Sequence, residues 1–331
     1  MFSSYLDVVL LFHPVLALLT IQHPKMHINH SNLQYFVISF FSILALRYAG
    51  SSYFLVPAEA PTGVCMTKDQ PNPIAALYPG NCTGTLNGTV AVVPIALELA
   101  RQLIPPQYGI LEHAYRSLLP SFPKGMYPAI VQALHDHEVQ AFGYKIEDFT
   151  RTGVEFPFVD MLNDNHTSFK WAPSLLMTSG HDIALKGAKD YGTEVFASTF
   201  DPGCDAYRSV KSNKPGTTYF SAKSIAPSEA SLSTLFSSTD HEVFPLEFFK
   251  NFTNQPTFAD GKTCDHMTRL FNTSVTTSHG IEPVKGTIRV KLPPFVGEVE
   301  FKDVYGLRLD SAFIENNYLP CETFRGYSGN E

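Results

Sequence analysis

The chain has 331 residues, 44% of them hydrophobic and 13% aromatic, with 26 Phe and 15 Tyr against one Trp; that much apolar side chain builds a core and excludes collagen, coiled coil and disorder. Charged residues make up 17%, the formal net charge is -7, and the 24 Lys and Arg are spread without a run. A nucleic-acid backbone or an anionic lipid surface needs clustered cations, so neither is an expected partner.

Two apolar stretches, 8–21 and 33–46, come first. His13 and Pro14 interrupt one and Arg47 stops the other, so neither offers the roughly 20 clean apolar residues of a stable membrane span. The region 1–51 reads as targeting sequence: a secretory signal over 26–51, starting at Met26, with an apolar stretch over 35–46 and the small residues Ala49, Gly50 and Ser51 at its end. Residues 1–25 then read as an upstream extension, with a two-pass membrane hairpin as the alternative. Secretion has two further supports. The Asn-x-Ser/Thr sequons at Asn81, Asn87, Asn165, Asn251 and Asn272 lie in the expected mature part. So do the five cysteines, Cys65, Cys82, Cys204, Cys264 and Cys321, four of which an oxidising compartment would pair. Cys65 with Cys82 is the first expected pair, because they bracket a short Pro/Gly/Asn-rich loop; buried free thiols are the alternative.

The mature part, 52–331, reads as one domain, rich in strands and punctuated by 24 Pro and 21 Gly. A helix is expected over 94–104, with Ile95, Leu99 and Leu103 on one face and Pro105-Pro106 stopping it. Strands are expected over 129–134, 140–146, 154–159 and 168–176. The Ser/Thr-rich stretch 209–239 reads as a long surface excursion, part of an insertion over about 209–260. Strict alternation over 288–292 and 298–302 reads as a hairpin with one buried face.

Phosphate-loop, dinucleotide, serine-elbow and His-Glu-x-x-His signatures are absent, and no cofactor is expected. Three small constellations remain. His135 and His137 lie two apart on one strand face and would chelate if a third ligand arrived, although a structural or surface role accounts for them equally. Arg151 and Glu155, near Asp148 and Asp160, gather charge in a chain that is sparing of it; they could anchor a carboxylate and shift a neighbouring pKa, or be exposed turn charges. Lys186 and Lys189 are amines that would form a Schiff base if desolvated, and otherwise solvated loop lysines.

The order Gln102-Leu103-Ile104-Pro105-Pro106, Ile130-Val131-Gln132-Ala133-Leu134-His135-Asp136, Phe156-Pro157-Phe158-Val159 and Asp182-Ile183-Ala184-Leu185-Lys186-Gly187-Ala188 resembles the acetoacetate decarboxylase-like superfamily. So does the tail, Tyr305-Gly306-Leu307-Arg308-Leu309 followed by Tyr318-Leu319-Pro320. The likeness spans about 90–200 and 285–325. It implies a β-rich (α+β) fold, a double-sheet or cone-shaped barrel with a few covering helices and an internal small-molecule cavity. For chemistry it implies a decarboxylase, a lyase in which a neutral lysine forms an imine with a β-keto acid, its basicity lowered by desolvation and an adjacent lysine. This chain departs from that pattern. Where the family's Pro-Lys-Lys should follow residues 182–187, it reads Tyr191-Gly192-Thr193-Glu194-Val195-Phe196.

Two readings follow. In the first the chain processes a keto acid or related carbonyl compound, with Lys189 or another displaced lysine as nucleophile, Arg151 holding a carboxylate and Glu155 moving protons. In the second it is a secreted glycoprotein that keeps the cavity without the chemistry and binds a small apolar ligand. Either is compatible with a homo-oligomer, and a purely structural secreted glycoprotein is a third, blander option.

Overall fold

The computed structural model describes residues 70–327 and 329. The targeting region 1–51 and Cys65 lie outside them, and so does the upstream extension 1–25. Short helices and fifteen strands in one large mixed sheet make up the described part. In chain order the first half holds β1 (Cys82–Ala96), α1 (Leu97–Leu103), β2 (Gly109–Ile110), α2 (Glu112–Leu118), β3 (Met126–Ala141), β4 (Tyr144–Lys145), β5 (Phe149–Asp160), β6 (Phe169–Trp171) and β7 (Ser174–Thr178). After α3 (Asp182–Lys189) come β8 (Glu194–Asp201), β9 (Arg208–Ser209), β10 (Thr218–Ser224) and β11 (Ser231–Ser238). The chain continues through α4 (Leu246–Thr253), β12 (Thr257–Phe258), β13 (Cys264–Leu270), α5 (Ser274–His279), β14 (Glu282–Lys291) and β15 (Val299–Leu319), and a 3-10 turn follows at Cys321–Phe324.

Four long strands, in the order β5-β3-β1-β15, form a wall that two rings share. The smaller ring closes from β5 through β6, β12 and β13 back to β15. The larger closes from β5 through β7, β8, β10, β11 and β14 back to β15. Strand length makes the sharing possible: β15, at 21 residues, pairs with β14 over its first half and with β13 over its second. Glycine lets the wall strands approach. A Cβ at Gly88 would stand 2.1 Å from the Ala133 carbonyl oxygen, and one at Gly306 would stand 2.4 Å from that of Val90, so neither position accepts a side chain.

The expected strands 129–134 and 154–159 lie within β3 and β5, the one expected over 168–176 is two strands, β6 and β7, parted at Ala172-Pro173, and the expected hairpin is β14–β15, with Ile288 opposite Phe301 and Val290 opposite Val299. The stretch 140–146 is a hairpin rather than one strand, turning at Phe142-Gly143 between β3 and β4. The helix starts at Leu97 because β1 runs on through Pro94 to Ala96. The stretch 209–239 is no surface excursion: β10 and β11 are integral to the larger ring. Its Ser and Thr alternate with buried Phe220, Ala222, Leu232 and Phe236, and alternation in a short polar strand is easily lost among hydroxyls. On α4, Phe248, Phe249 and Phe252 are fully buried, and Phe248 lies 5.9 Å from the Phe158 ring, a large apolar anchor between helix and wall.

Candidate active site

Alternation along β3 sends Gln132, Leu134 and Asp136 to one face of the wall and His135 and His137 to the other. On β5, Arg151 pairs with Leu134 and Glu155 with Ile130, so these two charges, four residues apart, share the face of Gln132 and Asp136. On β13, Met267 pairs with Glu315 and Arg269 with Phe313. Lys170 of β6 is level with Thr257, and Thr257 with Asp265. Two contacts show that this face is concave: Arg269 Nη2 donates to Gln132 Oε1, and Arg151 Nη2 lies 3.6 Å from Met267 Sδ. Because β13 adjoins neither β3 nor β5, both contacts cross the interior of the smaller ring.

A cavity of about 360 Å3 opens at one end of that interior, at the lower limit of typical small-molecule sites. Its inner end is polar, with Asp136, Arg151, Asp265 and Glu315; its walls are apolar, with Phe149, Leu175, Met177 and Phe313. Helix α3 lies over it through Ala184, Gly187 and Ala188, and Phe142, Ile183 and Tyr318 line the mouth. The side chain of His181, at the N-terminus of α3, accepts a hydrogen bond from Ala184 N at 3.2 Å and fixes the first turn. At the other end Lys186 Nζ donates to Asp190 Oδ2 at 2.6 Å, and Tyr318 OH donates to the same oxygen, clasping α3 to β15.

Electrostatics set this interior apart. Arg151 Nε donates to both Asp136 oxygens at 2.9 and 3.2 Å; burial disfavours the guanidinium, and Asp136 more than offsets it. Burial and the facing Glu315 push the Asp265 carboxyl well above its ordinary value. Burial likewise raises Glu315, which hydrogen-bonds Asp265, and Arg151 opposes that rise. Behind this end lies a second group. Lys170 is 5% exposed; its Nζ donates to the Thr253 carbonyl at 2.9 Å and stands 3.8 Å from Glu155 Oε2. Burial holds the amine below its ordinary value, Arg269 adds to the effect and Glu155 opposes it. Gln132 Nε2 donates to Glu155 Oε2 at 2.5 Å, and burial lowers Arg269 to about 10.

Of the residues singled out from sequence, Arg151 and Glu155 come together on this inner face. Lys189 does not; it is exposed on α3 and does not line the cavity. His135 and His137 stack 6.0 Å apart on the opposite face of the wall. Each has its own partners. His135 Nδ1 lies 2.9 Å from Thr150 Oγ1 and its Nε2 4.0 Å from Asp148, while His137 Nδ1 lies 2.8 Å from Thr85 Oγ1 and its Nε2 3.5 Å from Asp310. Among the described residues no group of three or more His, Cys, Asp or Glu is placed to hold a metal. The expected Cys65–Cys82 pair is not formed. Cys82 is a free thiol on β1, 3.5 Å from Glu315 Oε2, and burial raises its pKa. Cys264 and Cys321 form a disulfide, and Cys204 is disulfide-bonded. Of the sequons, Asn165 and Asn272 are exposed and Asn81 is half-exposed. Asn87 sits mid-strand in the wall, and Asn251 is 6% exposed with its Oδ1 accepting from Gln255. No helix among the described residues is long and apolar enough to cross a membrane.

Lys170, Asp265 and Glu315 escaped the sequence reading. Lys170 carried one usable signal, a lone cation between Phe169 and Trp171, since a lysine in an apolar run is rare unless it is paired. Asp265 and Glu315 carried none, because β13 and β15 bring them together from 50 residues apart in sequence.

No protein-family model matches the chain, and no curated protein matches it. Among solved structures it is similar to the enduracididine biosynthesis enzyme MppR complexed with pyruvate, with a TM-score of 0.40 and 11% identity over 74% of this chain and 92% of that one. It is also similar to an acetoacetate decarboxylase-like enzyme from Sphingomonas wittichii RW1, with a TM-score of 0.37 and 7% identity over 77% of this chain and 99% of that one. Likenesses of this strength assign neither a family nor a chemistry to the chain.

Proposed function

We propose that the chain is an acetoacetate decarboxylase-like enzyme that acts on a keto acid through an imine at Lys170. One observation carries the reading. A buried lysine with a single hydrogen-bond acceptor, Thr253 O, and a carboxylate at 3.8 Å faces the same interior as the cavity, and an ammonium needs more partners than that. The neutral amine attacks the ketone carbon of a β-keto acid, forming a C–N bond, and water leaves as the protonated imine forms. The bond to the carboxylate then breaks, its electron pair passes into the iminium, and carbon dioxide departs. The enamine takes a proton at carbon, and water hydrolyses the imine to free the ketone and the amine. Arg151 orients the carboxylate, and Glu155, held by Gln132, carries protons.

Borohydride reduction with acetoacetate or pyruvate tests this. The wild type gains one reduced adduct that maps to the peptide carrying Lys170, and Lys170→Gln, which keeps an N–H donor toward Thr253 O and the buried Glu155, gains none while circular dichroism shows it folded. Folded wild type without an adduct overturns the reading. The second reading, a cavity that binds a small apolar ligand without covalent chemistry, is favoured by one observation: Lys170 itself does not line the cavity. Reversible binding with no adduct would select it. Secretion as a glycoprotein belongs to the same proposal. The Cys264–Cys321 disulfide is compatible with an oxidising compartment, and intact mass before and after enzymatic deglycosylation should reveal glycans at Asn165 and Asn272 and none at Asn251.

A further inference from the structure

The mouth of the cavity is apolar where solvent would favour polar residues. Phe142 is 74% exposed, Ile183 64% and Tyr318 55%, and all three line the cavity. Two of them are held in a costly backbone conformation. Phe142 has φ 51° and Gly143 φ 83°, and the pairing of Ala141 with Tyr144 makes them the central residues of a two-residue hairpin turn. Such a turn favours Asn-Gly, and a bulky aromatic there is strained. Tyr318, across the mouth on β15, has φ 60°. Strain at exposed aromatics persists where the side chains serve a purpose. The same cavity is lined by the apolar side chains of Phe149, Met177 and Phe313 and by Arg151. The inner end also carries Asp136, Asp265 and Glu315; Arg151 binds Asp136 through Nε, with Nη2 beside Met267 Sδ, so its terminal nitrogens are what an acid head would meet, while Lys186 at the mouth is clasped to Asp190. About 360 Å3 equals roughly a dozen water volumes, so a chain longer than about ten heavy atoms must leave through the rim.

We infer that the cavity takes an amphiphilic acid, its carboxylate or keto-acid head at Arg151 and its apolar chain lying along this wall and out past Phe142, Ile183 and Tyr318. The inference deepens the proposed keto-acid function and rests on it for the head group alone; the chain is argued from the wall and the rim.

Calorimetric titration of the purified full-length chain with butanoate, octanoate, dodecanoate and octylamine tests it. Affinity should rise with chain length, by up to about fourfold per methylene while each is buried, and octanoate should bind at least tenfold more tightly than octylamine. Phe142→Asn and Ile183→Ser should each flatten the rise between octanoate and dodecanoate, the first while easing the turn. Val296→Ser, at an exposed residue of the loop between β14 and β15, should leave it unchanged. Affinity independent of chain length overturns the inference, as does tighter binding of the amine. So does sedimentation with phosphatidylcholine vesicles without a chain-length effect, which would make the rim a membrane contact. An acetoacetate adduct on Lys170 with no chain-length effect rejects this inference alone, whereas a chain-length effect with no adduct rejects imine chemistry and leaves the amphiphile in place.

Discussion

Asp265 and Glu315 face each other at the inner end of the cavity, and both are pushed upward in pKa, by burial first and then by nearby acid charge. Acids raised in the folded state bind protons more tightly there than in the unfolded chain, so their ionisation costs stability as pH climbs through and beyond the ordinary carboxylate range. The melting temperature should therefore fall between about pH 5 and pH 8, and Asp265→Asn should flatten that fall. A thermal melt series at fixed ionic strength checks this; an unchanged slope would overturn the upward shift of the two carboxyls. Arg151 behaves in the opposite way. Arg151→Met strands the buried Asp136 carboxylate and should cost about 3–5 kcal/mol, most of it recovered in Arg151→Met/Asp136→Leu, as measured by denaturant unfolding.

The elements around the cavity differ in how much change they tolerate. Gly306 lies within a wall strand, where an added methyl meets the Val90 carbonyl; Gly306→Ala should cost about 2–4 kcal/mol. Gly187 lies in α3 with nothing within 4 Å of an added Cβ, and the space it faces is the cavity. Gly187→Ala should raise stability by about 0.5–1 kcal/mol and weaken ligand binding, a trade that paired unfolding and titration experiments would expose. The same contrast governs what sequence could reveal. The β14–β15 hairpin was legible because one buried face imposes alternation, and β3 and β5 because strands buried on both faces read as short apolar, β-branched runs; Arg151 lay outside the expected strand 154–159, and only the register of β5 puts it on the face of Glu155. Lys170, Asp265 and Glu315 meet through β6, β12, β13 and β15, and ring closure is a pairing of distant segments with no local pattern to announce it. Lys189 drew attention as an amine near the place where the resemblance expects a lysine pair, and on α3 its side chain points to solvent while its neighbours Gly187 and Ala188 line the cavity.

At the scale of the molecule, the Cys264–Cys321 disulfide pins β13, the last strand of the smaller ring, beside the end of β15 and closes a segment of 57 residues. Cys264→Ser/Cys321→Ser should lower stability by up to about 4 kcal/mol in the chain-entropy account. Because Asp265 and Met267 ride on β13, the loss should also show as faster amide exchange at the cavity than across β10 and β11. The shared wall carries a last consequence. It is a partition whose two surfaces are furnished from alternate letters of one text, so His135 and His137 belong to one chamber and Asp136 to the other. Deleting a single residue from the middle of β3 would not shorten the wall so much as exchange the furniture, turning imidazoles toward Arg151 and leaving the guanidinium without its carboxylate. Insertions or deletions that lineages accept should therefore gather in the β14–β15 loop around Val296 and stay out of the wall, a pattern that a deletion scan of β3 read by soluble yield would display.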